Sequence, residues 1–245
     1  MPSAAFSLPS GFHAVVIGGT GGIGAAIVEE FLAQGVCVTA TGATQAEINA
    51  CRLTGHAGLT MAPLDVTNED MVRTFADQAG RVDALINAAG ILRRDEEYDI
   101  AVFQKVLDVN LSGTMRCCLA FREKLAARQG CIVNIASMNA FAALPRLPAY
   151  CASKGGVVML TRSLAHAWAS DGIRVNAVAP GYIETPLNAE GRRDRAHYER
   201  IAGRTAMGRW GQADEVSATV VYLCMPAARY VTGSVATVDG GFLAG

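Results

Sequence analysis

The chain has 245 residues and a formal net charge of −1 at pH 7, with 51% hydrophobic and 18% charged residues. That length suits one α/β domain with a sizeable core, and the balance argues against disorder and against a basic nucleic-acid surface. The seven cysteines (37, 51, 117, 118, 131, 151 and 224) are odd in number and show no C-x-x-C spacing; the four histidines (13, 56, 166 and 197) are scattered. They predict reduced core thiols, with no disulfide framework and no metal site.

In chain order, short β-rich runs alternate with longer helical patterns. The first ten residues lack a basic n-region and an apolar run, and no stretch is long and apolar enough to span a membrane, so a cytoplasmic protein without membrane partners is expected. A strand at 14–17 leads into the run Gly18, Gly19, Thr20, Gly21, Gly22, Ile23, Gly24 and a helix at 22–34, whose apolar stripe includes Ile23, Ile27 and Phe31. Then come a strand at 36–41, a helix at 44–54, a strand at 59–63, a helix at 68–79 and a strand at 84–87. A long helix at 102–128 precedes a strand at 131–135, a helix at 150–170 and a strand at 174–178. From Gly181 to Trp210 the rhythm breaks in a Gly-, Arg- and Pro-rich excursion, the place for a substrate lid. A helix at 213–225 and a strand at 235–238 close the chain.

Most of these strands lack polar alternation, as strands buried on both faces do. The β-α-β alternation predicts a single domain over 1–245: a doubly wound, Rossmann-like α/β fold with a parallel seven-stranded sheet and helices on both faces.

Two features carry chemistry. A glycine run between a buried strand and an amphipathic helix lets backbone approach a pyrophosphate at the helix N-terminus. Tyr150 and Lys154 lie one helical turn apart, and an ammonium beside a phenol favours the phenolate, making the pair an acid or base for a substrate oxygen.

With these residues in view, the chain resembles the short-chain dehydrogenase/reductase family, in its short single-domain branch. Gly18, Gly22 and Gly24 match that family's T-G-x-x-x-G-x-G turn, with Ile17 in place of the threonine. Asp65 and Val66 resemble the pair beside the adenine. Asn87, Ala88, Ala89 and Gly90 resemble the N-N-A-G segment, and Pro180, Gly181, Ile183 and Thr185 the segment that holds the nicotinamide. Thr20, Gly21, Ile23 and Thr41 are further expected cofactor contacts. The resemblance implies NAD or NADP. Neither an acid nor an arginine ends the second strand at Thr41-Gly-Ala-Thr44, and Gly21 sits where a basic residue often marks NADP binding, so NAD is favoured, although hydroxyls and backbone N–H groups can also bind a phosphate.

The resemblance also assigns catalytic roles. Tyr150 exchanges the proton, Lys154 lowers its pKa and binds the nicotinamide ribose, Ser137 orients the substrate oxygen, and Asn110 holds a water linking Lys154 to solvent. Two positioned donors suit the charge that develops on oxygen during hydride transfer. Arg93 and Arg94 resemble the branch that acts on sugar acids, since guanidinium forks bind carboxylate; a solvated basic turn reads equally well. Arg146 follows the Ser137 loop, the lid arginines (192, 193, 195, 200 and 204) read as a solvated helix face, and Met138, Phe141, Leu144, Leu147 and Tyr182 read as apolar pocket walls or equally as packing. Cys151 reads as packing. The leading expectation is an NAD(P)-dependent alcohol dehydrogenase or carbonyl reductase with a small-molecule substrate. The alternatives are a 3-oxoacyl thioester reductase, a sugar-nucleotide epimerase or dehydratase, and a catalytically silent dinucleotide-binding sensor. A homotetramer built on the two long helices is the family's expectation.

Overall fold

Strands covered on both faces pair in parallel, because the helices that cover them are also the crossovers that return the chain. In the computed structural model, which describes residues 4–245, the strands are β1 (His13–Ile17), β2 (Cys37–Gly42), β3 (Leu59–Pro63), β4 (Ala84–Asn87), β5 (Cys131–Ile135), β6 (Arg174–Pro180) and β7 (Val235–Val238). They form one seven-stranded sheet in the order β3-β2-β1-β4-β5-β6-β7, with every pair parallel. The helices are α1 (Gly22–Ala33), α2 (Gln45–Ala50), α3 (Glu69–Gln78), α4 (Ile100–Leu107), α5 (Gly113–Ala126), α6 (Pro148–Trp168), α7 (Ala189–Arg193), α8 (Arg195–Ala202) and α9 (Ala213–Cys224). This is the doubly wound α/β architecture expected from the sequence, and the strand order reverses between β1 and β4.

Alternate strand residues feed two cores. Val16, Val38, Ile86 and Val133 point to the side covered by α1 and α9, where Ile27, Phe31, Val216 and Val220 are buried. Val15, Ile17, Leu85, Ile132 and Val175 point to the side of α3, α5 and α6, against Val72, Phe121, Leu125, Leu164 and Trp168. This two-residue alternation is what lets an apolar strand serve both faces.

The structure departs from the predicted elements at two points. The helix expected over 44–54 ends at Ala50: Cys51 is extended, Gly55 and Gly58 have φ of 88° and 83°, and Thr54 Oγ1 donates back to Ile48 O at 2.6 Å. The single helix expected over 102–128 is two helices joined by a π-helical turn, Asp108–Ser112. The wide turn brings Gly113 against Val66, where a Cβ would meet Val66 Cγ2 at 2.7 Å.

The excursion between β6 and α9 contains α7 and α8. Its two ends meet: Gly211 N donates to Tyr182 O and Glu184 N to Gly211 O, both at 2.9 Å. Trp210 is buried against Tyr182 and Tyr198, with ring centroids 5.0 and 5.4 Å away, and its indole N–H donates to Tyr198 O at 3.2 Å. The lid arginines, expected on a solvated face, are of two kinds. Arg195 pairs with Glu199 in solvent, whereas Arg192 is half-buried and bonds Glu184, Asn188 and Thr185 O.

Candidate active site

The first βα turn is built around absent side chains. Gly18 has φ 81°, and a Cβ there would meet Ala89 N at 2.6 Å; a Cβ on Gly24 would meet Gly18 O at 1.9 Å. Glycine at both positions therefore holds β1, α1 and the loop after β4 in direct backbone contact. Thr41 is buried, and its hydroxyl accepts from Gly18 N at 3.1 Å while its carbonyl accepts from Gly19 N at 2.8 Å. Thr41, expected as a cofactor contact, anchors the turn and supplies a hydroxyl there that Ile17 lacks.

α1 begins at this turn with Gly21 as N-cap and no side-chain cap, whereas α2, α3 and α4 are capped by Thr44, Asn68 and Asp99. A Cβ on Gly21 would meet nothing within 4 Å. The turn is thus open on one side, with N–H groups and the positive end of the helix dipole facing out. Thr185 closes the other side, 3.6 Å from a Cβ placed on Gly22, so the turn and the segment after Pro180 lie together. Asp65 is exposed, with its carboxyl held low by hydrogen bonds from the Thr67 hydroxyl and N–H; Val66 is buried beside it.

Past β4, Asn87 donates to Asn134 Oδ1 at 2.8 Å, and Asn134 donates to Thr161 Oγ1 at 2.9 Å, a buried ladder from β4 through β5 to α6. Asn87 Oδ1 has no partner among the described residues. A Cβ on Gly90 would lie 3.3 Å from Asn110 Oδ1 and 3.5 Å from Lys154 Nζ. Asn110, fully buried in the π-helical turn, accepts from Ile91 N at 2.8 Å and donates to Ile91 O at 2.9 Å and Ser153 Oγ at 3.1 Å. Such turns recur at functional sites; here it turns an amide onto the loop after β4.

Ser137 follows β5, and its hydroxyl accepts from Asn139 N at 3.1 Å. Tyr150 and Lys154 lie one turn apart on α6, with Lys154 Nζ 5.7 Å from the phenol ring centroid. Lys154 is buried and donates to Ile135 O at 2.7 Å. Burial pushes its ammonium down to about 8. Tyr150 as a whole residue is half-buried, but its hydroxyl lies deep. Burial pushes the phenol up, against a hydrogen bond from Ser137 that pulls it down. Desolvation is the largest influence on both groups, and the Lys154 ammonium also donates to the Ile135 carbonyl.

Sequence reasoning missed Glu97. It is 1% exposed, and its carboxylate accepts from Tyr150 N at 2.9 Å and Arg93 N at 3.0 Å. The N-cap of α6, Leu147, offers no side-chain cap, so Glu97 caps the catalytic helix from a distant loop and ties that loop to it. A glutamate in an acidic run gives no signal of this. Glu47 was also missed, although Thr44 with Glu47 three positions on is a legible capping pattern. Its carboxylate, at the end of β2, accepts from Ala43 N at 2.9 Å and faces Thr20 Oγ1 at 3.5 Å.

The basic candidates separate. Arg146 is paired with Asp95 through two hydrogen bonds and holds two loops together. Arg93 donates to Leu92 O at 3.3 Å. Arg94 lies near enough to Tyr182 to pull its phenol down, with Arg204 and Arg200, against burial that pushes it up. Met138 and Leu147 are buried and Phe141 is exposed. Cys151 faces Asn139, its Sγ 3.8 Å from Nδ2. Among the described residues no group of three or more His, Cys, Asp or Glu could hold a metal ion, and no helix is long and apolar enough to cross a membrane.

A family model described as enoyl-(acyl carrier protein) reductase matches residues 18–243. The chain is 38% identical to 2-dehydro-3-deoxy-D-gluconate 5-dehydrogenase of Bacillus subtilis over 98% of its length and 97% of the relative. It is 37% identical to galactitol 2-dehydrogenase (L-tagatose-forming) of Cereibacter sphaeroides over 95% of both. Among solved structures, gluconate 5-dehydrogenase from Burkholderia cenocepacia, in complex with NADP and tartrate, superposes with a TM-score of 0.92 at 31% identity, covering 99% of this chain and 98% of that one.

The lowered Lys154 pKa makes stability depend on pH with a defined sign. Between about 8 and the ordinary value of 10.5 the unfolded chain binds a proton that the folded chain does not, so this lysine adds stability as pH rises through that window. Tyr150 acts oppositely above 10, where the unfolded phenol ionises first. We expect the urea midpoint of the wild type, relative to Lys154→Met, to rise from pH 7.5 to 9.5; a flat difference would place the ammonium in solvent.

Proposed function

The chain belongs to the short-chain dehydrogenase/reductase family and is an NAD(P)-dependent oxidoreductase that moves a hydride between nicotinamide and a secondary alcohol or ketone; on that premise we propose how its residues divide the work. The observation that carries the reading is Tyr150 with Lys154 one turn along α6, its Nζ 5.7 Å from the phenol ring centroid, at the sheet's C-terminal edge beside the glycine turn and near enough to Ser137 for that hydroxyl to pull the phenol down.

The fit to a dinucleotide rests on the turn. Its open side at Gly21 and the uncapped start of α1 suit a pyrophosphate, and Gly90 leaves room for a ribose to approach Lys154. Pro180, Gly181, Ile183 and Thr185 would hold the nicotinamide end, Asn87, Ala88 and Ala89 its floor, and Asp65 with Val66 the adenine. When bound, the nicotinamide supplies or accepts the hydride. Tyr150 gives its phenolic proton to the substrate oxygen in reduction and takes it back in oxidation. Ser137 donates a second hydrogen bond to that oxygen, stabilising the charge that develops there. Lys154, charged below about 8, holds the ribose and stabilises the phenolate. Asn110 fixes the loop carrying Gly90 and Ile91. The segment from Gly181 to Trp210 acts as a lid over the substrate.

NAD is the preferred dinucleotide. The sequence shows no acid at the end of β2, but Glu47 brings one there from α2, where a ribose hydroxyl can donate to it and a 2′-phosphate would be repelled. The substrate is a sugar acid. Arg94, Arg200 and Arg204 come from two segments and act together on Tyr182, a cationic setting for a carboxylate. Galactitol is neutral, so the two named relatives bracket the choice, and neither is named for an acyl thioester. Exposed Leu119 on α5 and Met159 on α6 support assembly into a tetramer through these helices.

Tyr150→Phe should lower turnover by about 10²–10⁴-fold with NADH binding retained; full activity with that variant would return the chain to the silent-sensor reading. Arg94→Ala should raise KM for gluconate or its keto product about 10–100-fold while leaving a neutral polyol unchanged; equal losses on both would remove the sugar-acid assignment. Glu47→Gln should tighten NADPH binding about tenfold with little change for NADH, read by fluorescence titration; unaltered affinities would leave Glu47 a helix cap only.

A further inference from the structure

At the opposite, N-terminal edge of the sheet lies a groove with a cavity volume of about 260 Å³. Four arginines line it: Arg81 before β4, Arg128 after α5, Arg174 at the start of β6 and Arg229 after α9. A single carboxylate, that of Asp83, faces them among the lining residues. Asp83 is buried, with its side chain 8% exposed, and accepts from Arg81 Nε at 2.6 Å, Arg128 Nε at 3.1 Å and His13 N at 3.0 Å. Arg174 donates one N–H to Val231 O at 3.3 Å.

Four positive charges therefore meet one negative charge in a concave wall, on a chain whose formal net charge is −1. Each guanidinium carries about five N–H donors in a planar fork, and the hydrogen bonds to Asp83 and Val231 use only a few of them. Arg81 and Arg128 are held in place by Asp83, so their remaining donors are preorganised and need not be ordered by a guest. A concave, low-dielectric wall with one sign of charge concentrates counter-ions. A bidentate match between guanidinium forks and an oxyanion is the strongest way to neutralise such a set.

We propose that this groove is a binding site for a small, multiply charged oxyanion, a phosphate or polycarboxylate group, separate from the nucleotide and substrate sites. Its volume admits such a group with a few attached atoms and excludes a dinucleotide, which the glycine turn takes at the other edge. Because the guest binds the folded chain and not the unfolded one, it stabilises the protein by an amount that grows with the logarithm of its concentration once the site is filled.

The test is calorimetric titration of the full chain, saturated with NADH so that the pyrophosphate site is filled, with inorganic phosphate in one arm and citrate in another, against sodium chloride at matched ionic strength. One saturable site per chain for phosphate or citrate, with a rising melting temperature, is expected. Arg229→Glu and Arg174→Ala should each weaken it at least tenfold. Arg94→Ala, at the substrate end, and Arg195→Glu, on the solvated face of α8, should leave it unchanged. Absence of saturation in both arms, a chloride response of equal size, or binding that survives both groove variants would overturn the proposal. So would loss in Arg94→Ala alone, which would assign the anion to the substrate site.

Discussion

Backbone meets backbone at the point where the strand order reverses, and the rest of the site depends on that contact. Gly18 lies on the backbone of Ala89, Gly24 on the carbonyl of Gly18, and Gly90 beside Asn110 and Lys154. A methyl group at any of the first two positions would push apart segments that have no slack, because each is the end of a buried parallel strand or the start of a packed helix. The cofactor turn and the catalytic helix are therefore neighbours through one thin layer of loop. The Asn87–Asn134–Thr161 ladder fixes that layer from below, joining β4, β5 and α6 through amides that water does not reach. Replacing one amide would leave its partners buried and unpaired, which costs more than the bond it makes.

The same geometry governs the electrostatics. Lys154 and the Tyr150 hydroxyl are placed deep, so desolvation opposes the charged form of each: the ammonium falls to about 8 and the phenol rises. Two groups whose ordinary values are close to one another are thereby moved in opposite directions. Glu97 adds a buried carboxylate under the first turn of α6, favourable for the helix dipole and unfavourable for a phenolate nearby. The folded chain thus holds Tyr150 as a proton donor. Forming its phenolate calls for cationic compensation, which the nicotinamide and a charged Lys154 are placed to supply in the proposed arrangement.

Much of this was legible in the sequence, and the reasons are physical. Parallel strands show as unbroken apolar runs, and glycines that backbone contact demands cannot be replaced, so the sheet and the turn could both be read. Tyr150 and Lys154 were visible because helical spacing converts sequence distance directly into space. That Thr41 also anchors the turn was not legible, because a hydroxyl at a strand end can face the crevice or the turn, and only its pairing with Gly18 N shows the second role. Asn110 was found by resemblance, but not the π-helical turn that aims it, since the phase shift of about 100° from one extra residue is lost where buried residues occur on several faces of a helix. Glu97 and Glu47 were hidden because their effect depends on which distant N–H groups lie within reach. No local rule lets an acidic run announce that one of its members is buried.

The arginines show how far residue type alone can go. Arg146, Arg192 and Arg209 each find a carboxylate and become ties between loops. Arg204 lies over the ring of Phe242, 4.3 Å from its centroid, and that ring packs on Tyr182 at 5.5 Å. Tyr182 is itself held by Trp210, and the charges of Arg94, Arg204 and Arg200, from separate segments, pull its phenol down against burial. Tyr182 and Trp210 lie on the excursion after β6, whereas Tyr150 and Lys154 lie on α6, which packs against the sheet. A fold of this kind accommodates different substrates through the segments that its sheet supports, and the chain's relatives include enzymes named for a sugar acid and for a neutral polyol.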